Sequence, residues 1–287
     1  MLWLDKYERQ ARLAPGLLML LPLAVTVTAL GFRSVPVVSI AASLVSVAGG
    51  PVLLAGTVRG FGLKVQPHMW ASWGGSPTMI ALRLREDSAN EVQRDVWRRS
   101  IEQVTGIQLA SRRSESARPQ AADQKIDAAV GRLRELTRDE QRFALIQAEN
   151  RAYGFWRNFY AIRTLGRLVA LAGILAMTSL VLWRLAGGLH PVVQVASALG
   201  LVIDALIMVV WLVLPSADRV RLAADKYACQ LLQGTVSLAS DASGASSPAQ
   251  TTVDRSSRIT DLPRRRGTPR SRLGTVSRSR GRRLSAR

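Results

Sequence analysis

The chain has 287 residues, 48% of them hydrophobic and only 6% aromatic, and its 39 Lys and Arg against 20 Asp and Glu give a formal net charge of +19. A single cysteine, Cys229, excludes an intramolecular disulfide framework, and two histidines, His68 and His190, leave no metal-ligand cluster of recognisable spacing. These averages resemble an odd soluble protein only because they mix two kinds of segment: four apolar runs, and the arginine-rich stretches outside them.

The apolar runs cover residues 13–32, 35–58, 165–185 and 192–215. Each has about 20 residues or more, and at about 1.5 Å of rise per residue that length spans a hydrocarbon core about 30 Å thick. The expected fold class is an α-helical integral membrane protein. Its four transmembrane helices form two hairpins, residues 13–58 and 165–215, separated by a mainly helical insert, residues 59–164, that contains one or two short strands. A cytosolic flank, residues 1–12, precedes the first hairpin; an amphipathic helix, residues 216–233, and a disordered basic tail, residues 234–287, follow the second.

Orientation follows from the basic residues beside the runs, because Lys and Arg flanks are retained in the cytoplasm. Lys6, Arg9 and Arg12 precede the first run, Arg59 and Lys64 follow the second, Arg151, Arg157, Arg163 and Arg167 lead into the third, and Arg219, Arg221 and Lys226 follow the fourth. The turn between the first two runs carries only Arg33, and residues 186–191 carry no Lys or Arg. Both termini and the insert are therefore expected in the cytoplasm of a bacterium, with the chain multi-pass in its inner membrane. A cleaved signal peptide competes for the first run, but Asp5 and Glu8 interrupt its charged region and no small-x-small cleavage site stands before the second run.

Lipid supplies no hydrophobic force to pair helices, so small residues on one face mark expected seams. Ser39, Ser43, Ser46 and Gly50 form such a stripe in the second run, and Ala172, Ala176 and Ser179 form one in the third. A homo-oligomer is one use of the seams; the common occurrence of Ala, Ser and Gly in membrane helices is the plain alternative. Gly49-Gly50-Pro51 is expected to bend the second helix, since Pro51 lacks a backbone donor.

In the insert, Trp73-Gly74-Gly75-Ser76-Pro77-Thr78 reads as a turn, and Ile80, Leu82 and Leu84 alternate with Ala81, Arg83 and Arg85 as a half-buried strand would. Ser88 with Glu91 forms a capping box for a helix whose apolar face is Val92, Val96, Trp97, Ile101 and Val104, ended by Gly106. Pro119 opens the next helix, with Ile126, Ala129, Val130, Leu133 and Leu136 on its buried face. Thr137 with Glu140 is a second capping box, from which a helix runs into the third span.

Before that span, Tyr153, Phe155, Trp156, Phe159 and Tyr160 interleave with Arg151, Arg157 and Arg163. Tyr153, Trp156, Arg157, Phe159 and Tyr160 are expected to anchor the chain at the headgroup layer, in preference to forming a stacking platform for nucleic acid. Gly60-Phe61-Gly62 and Gly74-Gly75 match neither a Walker nor a dinucleotide fingerprint. With no Ser/His/Asp set and no paired-carboxylate pocket, nothing points to an enzyme or to a bound cofactor.

Two short patterns, Trp73-Gly74-Gly75-Ser76-Pro77-Thr78 with Leu82-Arg83, and Glu149-Asn150 with Tyr153-Gly154-Phe155 and Arg157-Asn158, resemble uncharacterised bacterial multi-pass membrane proteins that carry a cytosolic insert. The resemblance covers the insert and the third span, and implies a membrane effector of the kind associated with bacterial defence.

Asp204 lies near the middle of the fourth run, where a charged side chain costs about 2.5–3.5 kcal/mol on insertion scales. It is a proton or cation site, a polar lock, or a protonated carboxyl bonded to a hydroxyl, with Thr26, Thr28, Thr178 and Ser179 as possible partners. Arg184 sits near the outer end, positioned to snorkel into the headgroups. Residues 220–232 read as an amphipathic helix lying on the membrane or docked on the insert. Arg264, Arg265, Arg266, Arg280, Arg282 and Arg283 stand in the Ser-, Ala- and Arg-rich tail, which is expected to be disordered and to attract anionic lipid headgroups before nucleic acid. The sequence as a whole suggests a non-enzymatic, self-associating membrane protein with a sensing, scaffolding or effector role; a small channel or transporter using Asp204, and a tethered nucleic-acid binder, are the alternatives.

Overall fold

The computed structural model describes residues 5–29, 49–87, 90–187 and 191–245. Among them the regular structure is entirely helical. A π-helical turn, Glu8–Leu13, leads into α1, Ala14–Ala29; then come α2, Gly50–Trp73; α3, Pro77–Leu82; α4, Glu91–Thr105; α5, Arg112–Ala117; α6, Pro119–Leu136; α7, Ala144–Ala161; α8, Arg163–Ala186; α9, Pro191–Val213; and α10, Ala217–Ala245.

Two helical stretches, Glu8–Ala29 and Arg163–Ala186, are long and apolar enough to cross a membrane. Ser197–Val213 and Ala217–Ala242 pass the same test as a pair bent by 64°, which makes up to three spans. Their packing is inverted relative to a soluble bundle. Leu17, Leu21 and Leu23 on α1, Leu168, Leu175 and Leu182 on α8, and Val202, Leu206 and Val209 on α9 are exposed, while Gly166, Gly173, Thr26, Ser197 and Asp204 face inward. Outward leucines find their solvent in lipid tails, and inward small residues let the backbones approach.

The stripe expected in the third run does not form a seam within the chain. Ala172, Ala176 and Ser179 are exposed, and the buried stripe is Gly166, Ala170, Gly173, Met177 and Leu180. Space decides between the two stripes: a β-carbon on Gly166 would stand 2.4 Å from the Trp211 ring, and one on Gly173 2.9 Å from Asp204 Oδ2. Of the second-run stripe, Ser39, Ser43 and Ser46 lie outside the described residues. Gly49, at φ 95°, precedes Gly50 and Pro51, which open α2, so this triplet starts a helix that continues past residue 58 to Trp73. Pro51 suits a first turn because its missing N–H has no intrahelical partner there.

The strand expected at residues 80–84 is replaced by α3. Ser76 caps that helix by accepting from the Met79 N–H, and Pro77 occupies its first turn. Two local start signals outweigh a three-residue alternation. Two expected capping boxes also move. Asn90 caps α4 by accepting from the Gln93 N–H, while Ser88 lies outside the described residues; Thr137 ends α6, with its hydroxyl donating to Leu133 O, and Glu140 pairs with Arg151 and Lys6.

The core of the module joins Leu82, Ile101, Ile126, Ala129, Val130, Leu133, Phe143 and Ile146 to Leu231 and Leu232 of α10. Helix α10 therefore docks on the module. It also runs well beyond residue 234, the expected start of disorder, because Thr235 and Ala239 continue the buried four-residue spacing begun by Leu231. Arg142 pairs with Asp241, and Gln103 donates to Ala239 O, fastening this end. The tail arginines, Arg264 to Arg283, lie outside the described residues.

Candidate functional site

Three polar assemblies stand out. The first is a buried network around the Gly74-Gly75 turn. Gly74 and Gly75 have φ of 85° and 149°, a region that favours glycine, and the Arg83 guanidinium lies against Gly75 while donating to Gly74 O at 2.6 Å. Arg83 and Arg85 both bind Asp123 through two N–H···O contacts, at 2.8–3.0 Å and 2.8–2.9 Å. Burial opposes ionisation of Asp123, but the Arg85 and Arg83 guanidiniums hold its carboxyl below the ordinary aspartate range. Glu115, fully buried, accepts from the Leu84 and Arg85 N–H groups, while Arg94 and Arg98 donate to the carbonyls of Arg83, Glu86, Leu82 and Ala110. Burial pushes the Arg98 guanidinium below its ordinary value, against the pull of Glu115. This network ties α3, α4, α5 and α6 together. Sequence periodicity missed it because it marks apolar faces, whereas the inward face of α4 is Arg94, Arg98, Ser100 and Ile101, and Val92 is exposed.

The second assembly is intramembrane. Asp204 is completely buried, with neither carboxyl oxygen hydrogen-bonded among the described residues. It packs where α9 meets Gly173 of α8 and Pro22 of α1. Three of the four hydroxyls expected to serve it are engaged elsewhere: Thr26 donates to Pro22 O at 3.0 Å, Thr28 to Ala24 O, and Ser179 to Leu175 O. Arg184, expected to snorkel, instead donates to Ser197 Oγ and to Ala29 O, stitching α8 to α9 and α1.

The third is a cavity of about 340 Å³ between α2, α6, α7 and α10. Arg157, 8% exposed, enters it from α7, with Arg134 from the last turn of α6 and Arg138 from the loop after it. Gln66, Gln147 and Asn150 supply amides, Ser76 and Thr78 hydroxyls, and Trp70, Tyr153 and Tyr227 aromatic walls. The lining contains no carboxylate, histidine or cysteine. Tyr153 and Tyr227 lie near parallel, 6° apart in plane with centroids 6.3 Å apart, and burial raises both phenols above the ordinary tyrosine value.

Arg157 is held by neutral acceptors. Its guanidinium donates to Gln66 Oε1 and, through Nη2 and Nε, to Asn158 Oδ1 at 3.3 and 3.4 Å, and it lies 5.6 Å from the Tyr153 ring centroid. Asn158, fully buried, in turn donates to Ala11 O at 2.6 Å. The two short sequence patterns converge here, since Ser76, Pro77 and Thr78 of one and Asn150, Tyr153 and Arg157 of the other all line the cavity.

Of the five residues expected to anchor at the headgroups, Tyr153, Arg157 and Phe159 are buried within protein, and Trp156 and Tyr160 are half-buried. Phe159 and Trp156 join a ring cluster with Phe155, and Phe159 lies 4.5 Å from Trp211. His68 lies exposed on α2, with Nδ1 3.3 Å from Lys64 O. Comparison with protein-family models, curated proteins and solved structures finds no match to this chain.

Proposed function

We propose that this chain is a non-enzymatic bacterial inner-membrane protein of four spans, whose cytosolic helical module senses a condition in the cytoplasm and transmits it to the membrane helices. One observation carries the reading: two of the four helices that wall the cavity, α7 and α10, are joined by short breaks to α8 and α9 of the apolar bundle. Helix α7 passes into α8 with only Ile162 between them, and α9 is separated from α10 by residues 214–216. Helices α7 and α10 pack together through Tyr153 and Tyr227, and through Ile146 beside Gly234. A change in their spacing therefore acts directly on α8 and α9. The cavity lining supports a binding role over a catalytic one, since it presents cations, amides and rings but no nucleophile paired with a base.

The test measures distance across the bundle. Spin labels replace the exposed Leu182 and Leu199, in a Cys229→Ser background, with the chain in lipid nanodiscs. Gly234→Leu crowds the contact between α10 and Ile146, whose Cδ1 would lie 2.7 Å from a new β-carbon, and a third label on α10 reads whether that helix moves. The expected result is a shifted α8–α9 distance distribution; an unchanged distribution beside a displaced α10 would sink the coupling. Maleimide labelling of Ser116→Cys in intact and opened spheroplasts tests the cytosolic placement, and native mass spectrometry tests self-association.

A second reading, a small channel or transporter, is favoured by the two unpartnered oxygens of Asp204 at the contact of three helices.

A further inference from the structure

We propose that the cavity between α2, α6, α7 and α10 is a binding site for a phosphate ester, whose phosphoryl group is held by Arg134, Arg138 and Arg157. The proposal deepens the sensing reading by naming the chemistry sensed, although binding does not require that a signal follow.

Charge makes the first argument. Among the described residues none of the three arginines is ion-paired, and the three carboxylates nearest Arg134 and Arg138 in sequence have other partners: Glu135 has Arg132 at 2.9 Å, Glu140 has Arg151 at 2.7 Å and Lys6 at 3.2 Å, and Asp139 accepts from the Gln141 N–H at 2.8 Å. Three guanidiniums thus face one cavity without a counter-charge, one of them almost wholly buried. A buried cation without a counter-ion is costly, and an anion entering the cavity removes that cost. Guanidinium groups present N–H forks that match phosphoryl oxygens, so the complementary anion is a phosphate.

Orientation makes the second. Gln66 and Asn158 hold the Arg157 guanidinium while leaving its charge uncompensated, and Asn158 is itself fixed by Ala11 O. Size makes the third. The cavity falls in the range of small-molecule sites, roughly 300–1,000 Å³, and exceeds what a phosphate alone fills. Trp70, Tyr153, Tyr227 and the amide of Asn150 border the remaining space, which accommodates the esterified group.

The phosphate could belong to a soluble metabolite or to a lipid headgroup, because Arg157 precedes the first residue of α8 by only six positions. The experiment separates these sources. The full chain is placed in phosphatidylcholine nanodiscs, and binding of pyrophosphate and adenosine monophosphate is measured by calorimetry. In parallel, melting temperature is compared between phosphatidylcholine discs with and without phosphatidic acid. Arg134→Gln and Arg138→Gln alter exposed side chains, the first keeping an amide donor for Tyr227, and Arg132→Gln makes the same charge change on α6 outside the cavity.

Each cavity variant is expected to weaken the productive probe by about tenfold or more, the loss of a charge-assisted hydrogen bond, with Arg132→Gln unaffected. Binding of a soluble probe assigns a metabolite; stabilisation by phosphatidic acid alone, lost in the Arg134→Gln/Arg138→Gln double variant, assigns a lipid. If neither class binds, or if Arg132→Gln weakens binding as much as the cavity variants, the assignment is wrong. Arg157→Gln adds a third arm, and the two exposed variants decide the matter if that protein does not fold. The distance measurement across α8 and α9 stands apart, so binding without movement would remove the sensing reading alone.

Discussion

Gly62 and Asn158 share one volume: a β-carbon built on Gly62 would stand 1.8 Å from Asn158 Oδ1. The glycine of Gly60-Phe61-Gly62 is there to let α2 meet α7, and the same contact sets the amide that holds Arg157 in the cavity. Gly62→Ala is expected to destabilise the chain by about 1–3 kcal/mol, as overpacking does, because Asn158 must leave Ala11 O. Gly60 meets nothing within 4 Å, so Gly60→Ala is expected to stabilise helix α2 by about 0.5–1 kcal/mol. Denaturation of the two variants in the same detergent checks this; equal shifts would refute the packing argument.

Trp211 fills the space over Gly166, where a β-carbon would lie 2.4 Å from its ring. Gly166→Ala therefore pushes α8 off α9, with an expected loss of about 1–3 kcal/mol. Trp211→Leu makes room for the methyl group, so the double variant should lose less than the sum of the singles. A double-mutant cycle read by thermal melting gives the coupling, and strict additivity would show that the two residues do not share this space.

Asp123 links acid stability to the Arg83–Arg85 network. Its folded-state pKa lies below the ordinary value of 3.8. The stabilisation is therefore complete above that ordinary value and is lost as pH falls from there through the lower folded-state value. Asp123→Asn should flatten the acid limb of a plot of stability against pH. Asp123→Ala should cost about 2 kcal/mol near neutrality, the loss of charge-assisted hydrogen bonds, by leaving the buried Arg83 with Glu86 as its remaining carboxylate partner. An acid limb unchanged in Asp123→Asn would exclude this linkage.

Among the described residues Asp204 makes no hydrogen bond that asparagine would forfeit. Asp204→Asn is expected to melt within about 0.5 kcal/mol of the parent and, in proteoliposomes loaded with a pH-sensitive dye, to leave proton leak unchanged. A parent leak abolished by Asp204→Asn would replace the sensing reading with transport.

Much of the candidate site was visible in the sequence as isolated signals. Arg157, Asn150, Tyr153 and the Ser76-Pro77-Thr78 segment all stood in the two short patterns, but the side chains expected to seek headgroups turn toward protein. Arg134 and Arg138 carried no signal, since they look like ordinary solvated charges on the polar side of α6 and in the loop after it. Only the approach of α2, α7 and α10 makes them part of a cavity.

By itself the sequence determined the helical character of the chain, the apolar stretches of α1, α8 and α9, and the buried face of α6 from Ile126 through Leu133, because the length and periodicity of apolar runs are local properties that neighbours seldom override. Tertiary structure alone decided which small residues form the seam, how far α10 runs, and where uncompensated arginines converge. Those outcomes depend on the shape and charge of partners distant along the chain, such as Trp211 over Gly166 and Asn158 over Gly62, which no local pattern encodes.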